Sequence, residues 1–250
     1  MYFSGQGKVF LAERDATTGQ PGAFRFVGNV PELKISLATE YLEHKESVSG
    51  QRLLDFRMLR EKKCNLSFVL EDFSVQNLEM GMYGTSSVLD AETVTDEAFP
   101  DDLVAGDFVR LAHPKISTLV IKDSAGTPAT LVEDTDYRIA SADFGTIEIL
   151  DVAGFTQPFT ASYSSAAGGK NVTLFSQPAK ERWLRFEGLN TADENAPVLI
   201  ELYRALMDPQ KEFSPISDDL LKMDLEGAVM YDATKVSDAV LGQFGRIVML

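Results

Sequence analysis

After Pro31 the chain alternates. Leu33, Ile35 and Leu37 share one parity while Lys34, Ser36 and Ala38 share the other, the period of a strand with one buried and one wet face. The alternation resumes at Leu54, with Leu54, Phe56, Met58, Cys64, Leu66, Phe68 and Leu70 on one parity and Asp55, Arg57, Glu61, Lys63, Asn65, Ser67 and Glu71 on the other. About twenty residues in one register is several times a usual strand. Arg60 and Lys62 interrupt the apolar face, so the distal part is expected to leave the chain's own core. Between the two strands lies LEHKESVSGQR, residues 42 to 52, read as the polar tip of a long protruding hairpin.

Past Asp72 the period changes. Val75, Leu78 and Met82 stand at helical spacing, with Ser74 as a candidate N-cap and Gly84 as the stop, which predicts one short helix over an open end of the sheet. From about 106 to 167 short strand-like runs (STLVIKD, GTIEIL, FTASYSS) alternate with turn-rich segments, the pattern of a small β module inserted into a larger domain. The last third returns to longer runs: RWLRFEG, PVLIELYRALMD, LLKMDLEGAVMYD and GRIVML. The expected class is all-β, about ten strands with one short flanking helix. Residues 1–105 and 168–250 form the core domain, and 106–167 the inserted module. Two long pairs are expected, Leu33 to Tyr41 with Lys63 to Glu71 and Val198 to Arg204 with Leu221 to Tyr231.

Composition narrows the function. Lys+Arg of 23 against Asp+Glu of 38 gives a formal net charge of −15 in 250 residues, a field that disfavours gripping nucleic acid but allows a surface past which DNA slides. Cys64 is the one cysteine, so packing and assembly must supply stability. No stretch approaches the roughly 18 apolar residues of a membrane span, and the N-terminus lacks a signal-peptide pattern, from which a soluble protein made in a cytoplasm is expected.

Candidate chemistry is sparse. His44 beside Ser47 and Ser49 has the residue types of a base and a nucleophile, but no nucleophile-elbow glycines flank either serine. His113 precedes Pro114 and reads as the end of a strand. AAGGKNV lacks the first glycine and the hydroxyl of a phosphate loop, and EDTDYR lacks the glycine and terminal glutamate of a calcium loop. Trp183 reads as a packing residue. No catalytic residue, metal or cofactor is expected.

The blocks YFSGQGKVFLAERD, GNVPELKISL, LEHKESVSGQR, LSFVLEDFS and NLEMGMYG, followed by RWLRFEGLNTAD, PVLIELYRALMDP and ISDDLLKMDLEGAVMYD, resemble the tail tube (major tail) proteins of long, non-contractile-tailed bacteriophages. The likeness covers about residues 1–105 and 168–250. It implies a β-sandwich or barrel core, with six copies closing into rings that stack into the hollow tail tube of a virion. Genomic DNA would pass without sequence-specific binding, and tail terminator, tape measure and distal tail proteins would be the other partners. It also implies that the tip residues Leu42, Glu43, His44, Lys45, Glu46, Ser47, Gln51 and Arg52 bridge subunits or rings. Lumen-facing candidates are Lys34, Ser36, Lys63, Asn65, Ser67, Glu71, Glu201, Lys222, Asp224 and Glu226. Left open are the tube of a contractile injection machine or type VI secretion system, a β-rich carbohydrate-active enzyme, and a monomeric adhesin or decoration domain.

Overall fold

The computed structural model describes residues 2–235 and 240–250. The protein is all-β with one short α-helix, and the described residues form sixteen strands. They are β1 (Gly5–Glu13), β2 (Arg25–Phe26), β3 (Glu32–Lys45) and β4 (Leu54–Leu70), then helix α1 (Val75–Met82). β5 (Ser86–Val88), β6 (Glu92–Ala98), β7 (Phe108–Arg110), β8 (Ile116–Lys122), β9 (Tyr137–Ser141), β10 (Thr146–Ile149), β11 (Thr160–Ser165) and β12 (Lys170–Val172) follow. The chain closes with β13 (Glu181–Asn190), β14 (Ala196–Met207), β15 (Met223–Val229) and β16 (Gly245–Met249). The count exceeds the expected ten because strands of two to five residues lie in segments whose turn residues mask the alternation.

Two compact units result, one of residues 1–86 and 172–250 and one of 87–171. The second begins nearly twenty residues earlier than the sequence pattern placed it. β6 pairs with β11, and Phe99 and Leu103 belong to the core built from Ile121, Ile147, Phe159 and Tyr163. That core lies with two three-stranded antiparallel sheets, ordered β7-β10-β9 and β6-β11-β8.

In the first unit the strands run β2-β1-β13-β14-β15-β4-β3, with β16 on a second branch from β14. Val9 and Leu11 of β1 share one core cluster with Leu66, Phe68 and Leu70 of β4. In a flat sheet four spacings of about 4.8 Å would separate β1 from β4, too far for contact. The sheet is therefore folded over on itself. A bulge in β14 accompanies the bend: Arg182 faces Ala205 and Leu184 faces Leu202, so Tyr203 and Arg204 lie opposite Trp183 alone.

The sheet forks at that bulge. Val198–Leu202 pair with β16, whereas only Ala205–Met207 pair with β15, whose main partner is β4. The expected pairing of Val198–Arg204 with Leu221–Tyr231 is thus corrected. Period-two alternation sets which face a strand buries and leaves its partner open.

Helix α1 lays Met80 on this core. Ser74 occupies the N-cap position without a side-chain cap, and Tyr83, in the left-handed conformation at φ 50°, ends the helix in place of Gly84. Gly84 serves another need, since a Cβ there would stand 1.9 Å from the Thr173 carbonyl. The last carbonyls, of Gly81, Met82 and Tyr83, accept from the N–H groups of Gln210, Phe175 and Gln177.

Candidate assembly surface

β3 is the terminal strand of the sheet and pairs on one side with β4, so its 14-residue outer edge carries backbone groups without ladder partners. The hairpin outruns its core. Leu33, Ile35 and Leu37 face Phe68, Leu66 and Cys64, but Leu37 is already 79% exposed and no residue beyond it joins the cluster.

Here the structure departs from the single long register. Glu40 pairs with Glu61 and Tyr41 with Leu59, so Arg60 is an extra residue in β4. A one-residue slip exchanges the faces. Phe56 and Met58 therefore lie opposite His44 and Leu42, on the side away from Cys64, Leu66 and Phe68. Tyr41 and Leu59 lie on the core side, where the Arg57 guanidinium stacks 3.7 Å from the Tyr41 ring centroid and reaches Glu43 at 3.4 Å. Both faces of the arm thus carry half-exposed apolar side chains: Leu42, Phe56 and Met58 on one, Tyr41 and Leu59 on the other. Sequence reasoning assigned Phe56 and Met58 to the buried parity. The adjacent apolar pair Met58-Leu59, followed by four charged residues, was the signal of the slip.

Leu42, Glu43, His44 and Lys45 belong to β3, and the turn itself is residues 46–53. Glu46 organises it. Its N–H donates to the Leu53 carbonyl at 2.9 Å, and its carboxylate accepts from the N–H groups of Val48 (2.6 Å) and Ser49 (2.8 Å) and from the Ser49 hydroxyl. The Ser49 hydroxyl, then the Ser49 and Val48 N–H groups, pull this carboxyl down to about 2. A depressed carboxyl stabilises above its unfolded value of about 4.3 and loses that contribution as pH falls toward 2. The protection factors of the Val48 and Ser49 amides are accordingly expected to hold at pH 6 and to fall between pH 4 and 2; pH-independent protection would contradict this.

His44 Nδ1 lies 2.6 Å from Asp55, while the Ser49 hydroxyl donates to Glu46, so the histidine–serine pairing is not made. Ser47, Gln51 and Arg52 are exposed on the turn. Among the described residues no group of three His, Cys, Asp or Glu side chains is placed to hold a metal ion.

The face opposite the core is polar. Lys34 and Glu226 flank Ser67, Ser36 lies beside Asn65, Lys63 beside Ala38, and Asp224 beside Val69, while Lys222 reaches Glu71 at 3.3 Å. Seven of the ten lumen-facing candidates therefore share one face of β3, β4 and β15, and Glu71 and Lys222 adjoin its end. Their lysines are matched by carboxylates: Lys34 with Glu32, Lys63 with Glu40 and Glu61, Lys222 with Glu71. Hydrogen bonding to Glu40, then Glu61, raises the Lys63 ammonium, and the Asn29 amide followed by Lys222 lowers Glu71.

Glu201 departs from the set. It lies between Arg185 and Arg246 on the neighbouring strands, 3.2 and 2.8 Å away, and is 6% exposed. Burying a carboxylate requires such partners, and this one is enclosed by them. Where β1 runs near the start of β3 without pairing, a cleft of about 840 Å³ opens, lined by Phe3, Gly7, Leu33, Phe186, Ile200 and Ile247.

The fold and this surface define an all-β protein of two units, with a free sheet edge and an uncovered apolar arm. The chain belongs to the family described as protein of unknown function UCP028589, whose model matches residues 2–248. No curated protein matches it.

Proposed function

We propose that the chain builds the tube of a long, non-contractile phage tail, six copies closing into a ring and the rings stacking around a bore for DNA. The observation that carries the reading is the β3–β4 hairpin. A 14-residue free edge and an arm apolar on both faces suit a strand completed by a second copy, and ring closure removes such edges altogether. The resemblance of residues 1–105 and 168–250 to tail tube proteins supports it. The polar face of β3, β4 and β15 lines the bore in this reading, its lysines matched by carboxylates and so unable to hold a polyanion. Glu201 is withdrawn from that lining. The distal arm, where the faces exchange, leaves the bore and docks on a neighbour. Tail terminator, tape measure and distal tail proteins cap and fill the tube in the virion.

Negative-stain images of concentrated protein are expected to show sixfold rings or stacked tubes. A species that stays monomeric at every concentration, with no tubes, would overturn the reading; a sheath protein produced alongside would move it to a contractile machine. Replacing Ser87–Asn171 by a short linker, which removes one complete unit with its own core, is expected to leave tubes visible at reduced outer diameter. Loss of all assembly would show that this unit helps to close the ring.

A further inference from the structure

Four arginines on or beside β1, β13, β14 and β16 have carboxylates within 3.2 Å: Arg14, Arg185, Arg204 and Arg246. Arg182 on β13 is different. It lies between Glu13 and Ala205 in the ladders, on the same face as Leu11 and Ala205 of the core, and among the described residues it makes no ion pair or hydrogen bond through its side chain. Burial is the main influence on its guanidinium and pulls its proton affinity down.

The nearest carboxylates are already engaged. Glu13 is held by Lys180 at 2.9 Å, and Glu79 accepts the Ser86 N–H at 2.7 Å. The same desolvated cation lies near Arg25, whose one hydrogen-bonded acceptor is the Asn77 amide oxygen at 2.8 Å.

Arg182 lines a cavity of about 170 Å³ between the C-terminal end of α1, the segment leading into β13 and β1 itself, with Gln177, Thr85, Lys180, Glu13 and Glu79 around it. At about 30 Å³ per water molecule that volume suits a group of about five heavy atoms. We propose that this cavity is a binding site for a small oxyanion, a phosphate or carboxylate group, held on the guanidinium fork of Arg182 with the Gln177 amide beside it. A half-buried guanidinium without a counter-ion is the group such ligands match, because its planar donors meet two oxygens at once. Glu79 on the wall opposes the ligand's charge and keeps affinity weak, near a Kd of about 1 mM. Occupancy would tie Gln177, which also caps the Tyr83 carbonyl of α1, to β13.

The test titrates inorganic phosphate, then acetate, into the full chain in a chloride buffer and follows the Nε–H resonances of its arginines. The expected result is a saturable shift at Arg182 and the Gln177 amide. Glu79→Gln, which keeps an acceptor for the Ser86 N–H, should tighten binding roughly fivefold to tenfold through the charge removed. Arg182→Met should abolish the shift at Gln177, and Arg182→Lys, which keeps the charge but not the fork, should weaken it several-fold. The wild-type titration decides by itself should either Arg182 variant fail to fold. No shift at Arg182 at tens of millimolar of both anions, or an unsaturable drift shared by all exposed arginines, overturns the proposal. So does a Gln177 shift that survives unchanged in folded Arg182→Met.

Discussion

Arg14→Met is expected to lower the unfolding free energy by about 3–5 kcal/mol, the cost of leaving a buried charge without its partner. Arg14 is 7% exposed in its side chain and bridges Glu181 at 3.2 Å and Asp232, which is 0% exposed, at 3.1 Å. Glu181 in turn bonds Arg204 at 2.5 Å, and Asp232 accepts the Thr234 N–H and hydroxyl. Four segments are joined here: the end of β1, β13, β14 and the turn after β15. The network has nothing in reserve, because among the described residues Arg14 Nε, Arg204 Nε and Asp232 Oδ2 are buried without a hydrogen bond. Among the described residues, removing Arg14 leaves Asp232 with hydrogen bonds from the Thr234 N–H and hydroxyl and no ion pair. Urea unfolding of the single variant and of Arg14→Met/Asp232→Leu measures this. The double variant should recover part of the loss, since an apolar pair leaves no uncompensated charge. A single-variant loss under about 1 kcal/mol would mean that water already screens the pair.

The arm supplies the largest effect on assembly. Phe56→Asp/Met58→Asp changes side chains that are 52% and 49% exposed in the single chain, so stability of the separate molecule should move by no more than about 0.5 kcal/mol. Docking the remaining exposed area of Leu42, Phe56 and Met58 is worth about 1 kcal/mol each, half the value of complete burial, or about 3 kcal/mol per arm. Phe56 and Met58 account for about 2 kcal/mol of that, so the concentration needed for rings should rise about thirtyfold or more. Sedimentation and electron microscopy across a dilution series measure it. Rings at the wild-type threshold would show that the arm's apolar face stays wet in the assembly. Unchanged rings with the polar-face variant Lys34→Gln would fit, since that side chain is expected to line the bore.

The all-β class and the face buried at the base of the long hairpin were legible because both follow from period-two alternation, which Leu33-Lys34-Ile35-Ser36 displays without ambiguity, whereas the slip at Arg60 hid the faces of Phe56 and Met58. Partners were less so. Nothing local to Val198–Leu202 distinguishes β16 from β15, since both have apolar residues at alternate positions, and the choice depends on the bulge at Tyr203–Arg204 and the fold of the whole sheet. The polar-face candidates on β3, β4 and β15 could be grouped from parity, while Glu201 could not be set apart. Its burial arises from Arg185 and Arg246, 16 and 45 residues away in sequence. Arg182 carried no signal at all: one of two arginines in RWLRF, it becomes unusual through its lack of a carboxylate, a property of the packed unit.

The extra residue at Arg60 divides the hairpin into two stretches that answer to different rules. Toward the base, side-chain identity is fixed by the chain's own interior; toward the turn, by whatever meets it from outside. Inserting one residue between Glu40 and Tyr41, to pair with Arg60, would restore one phase as far as Phe56, carrying Phe56 and Met58 to the inner side and Arg57 to the outer. The arm's apolar pattern can therefore be inverted by the gain of a single codon, with the base of the ribbon left untouched.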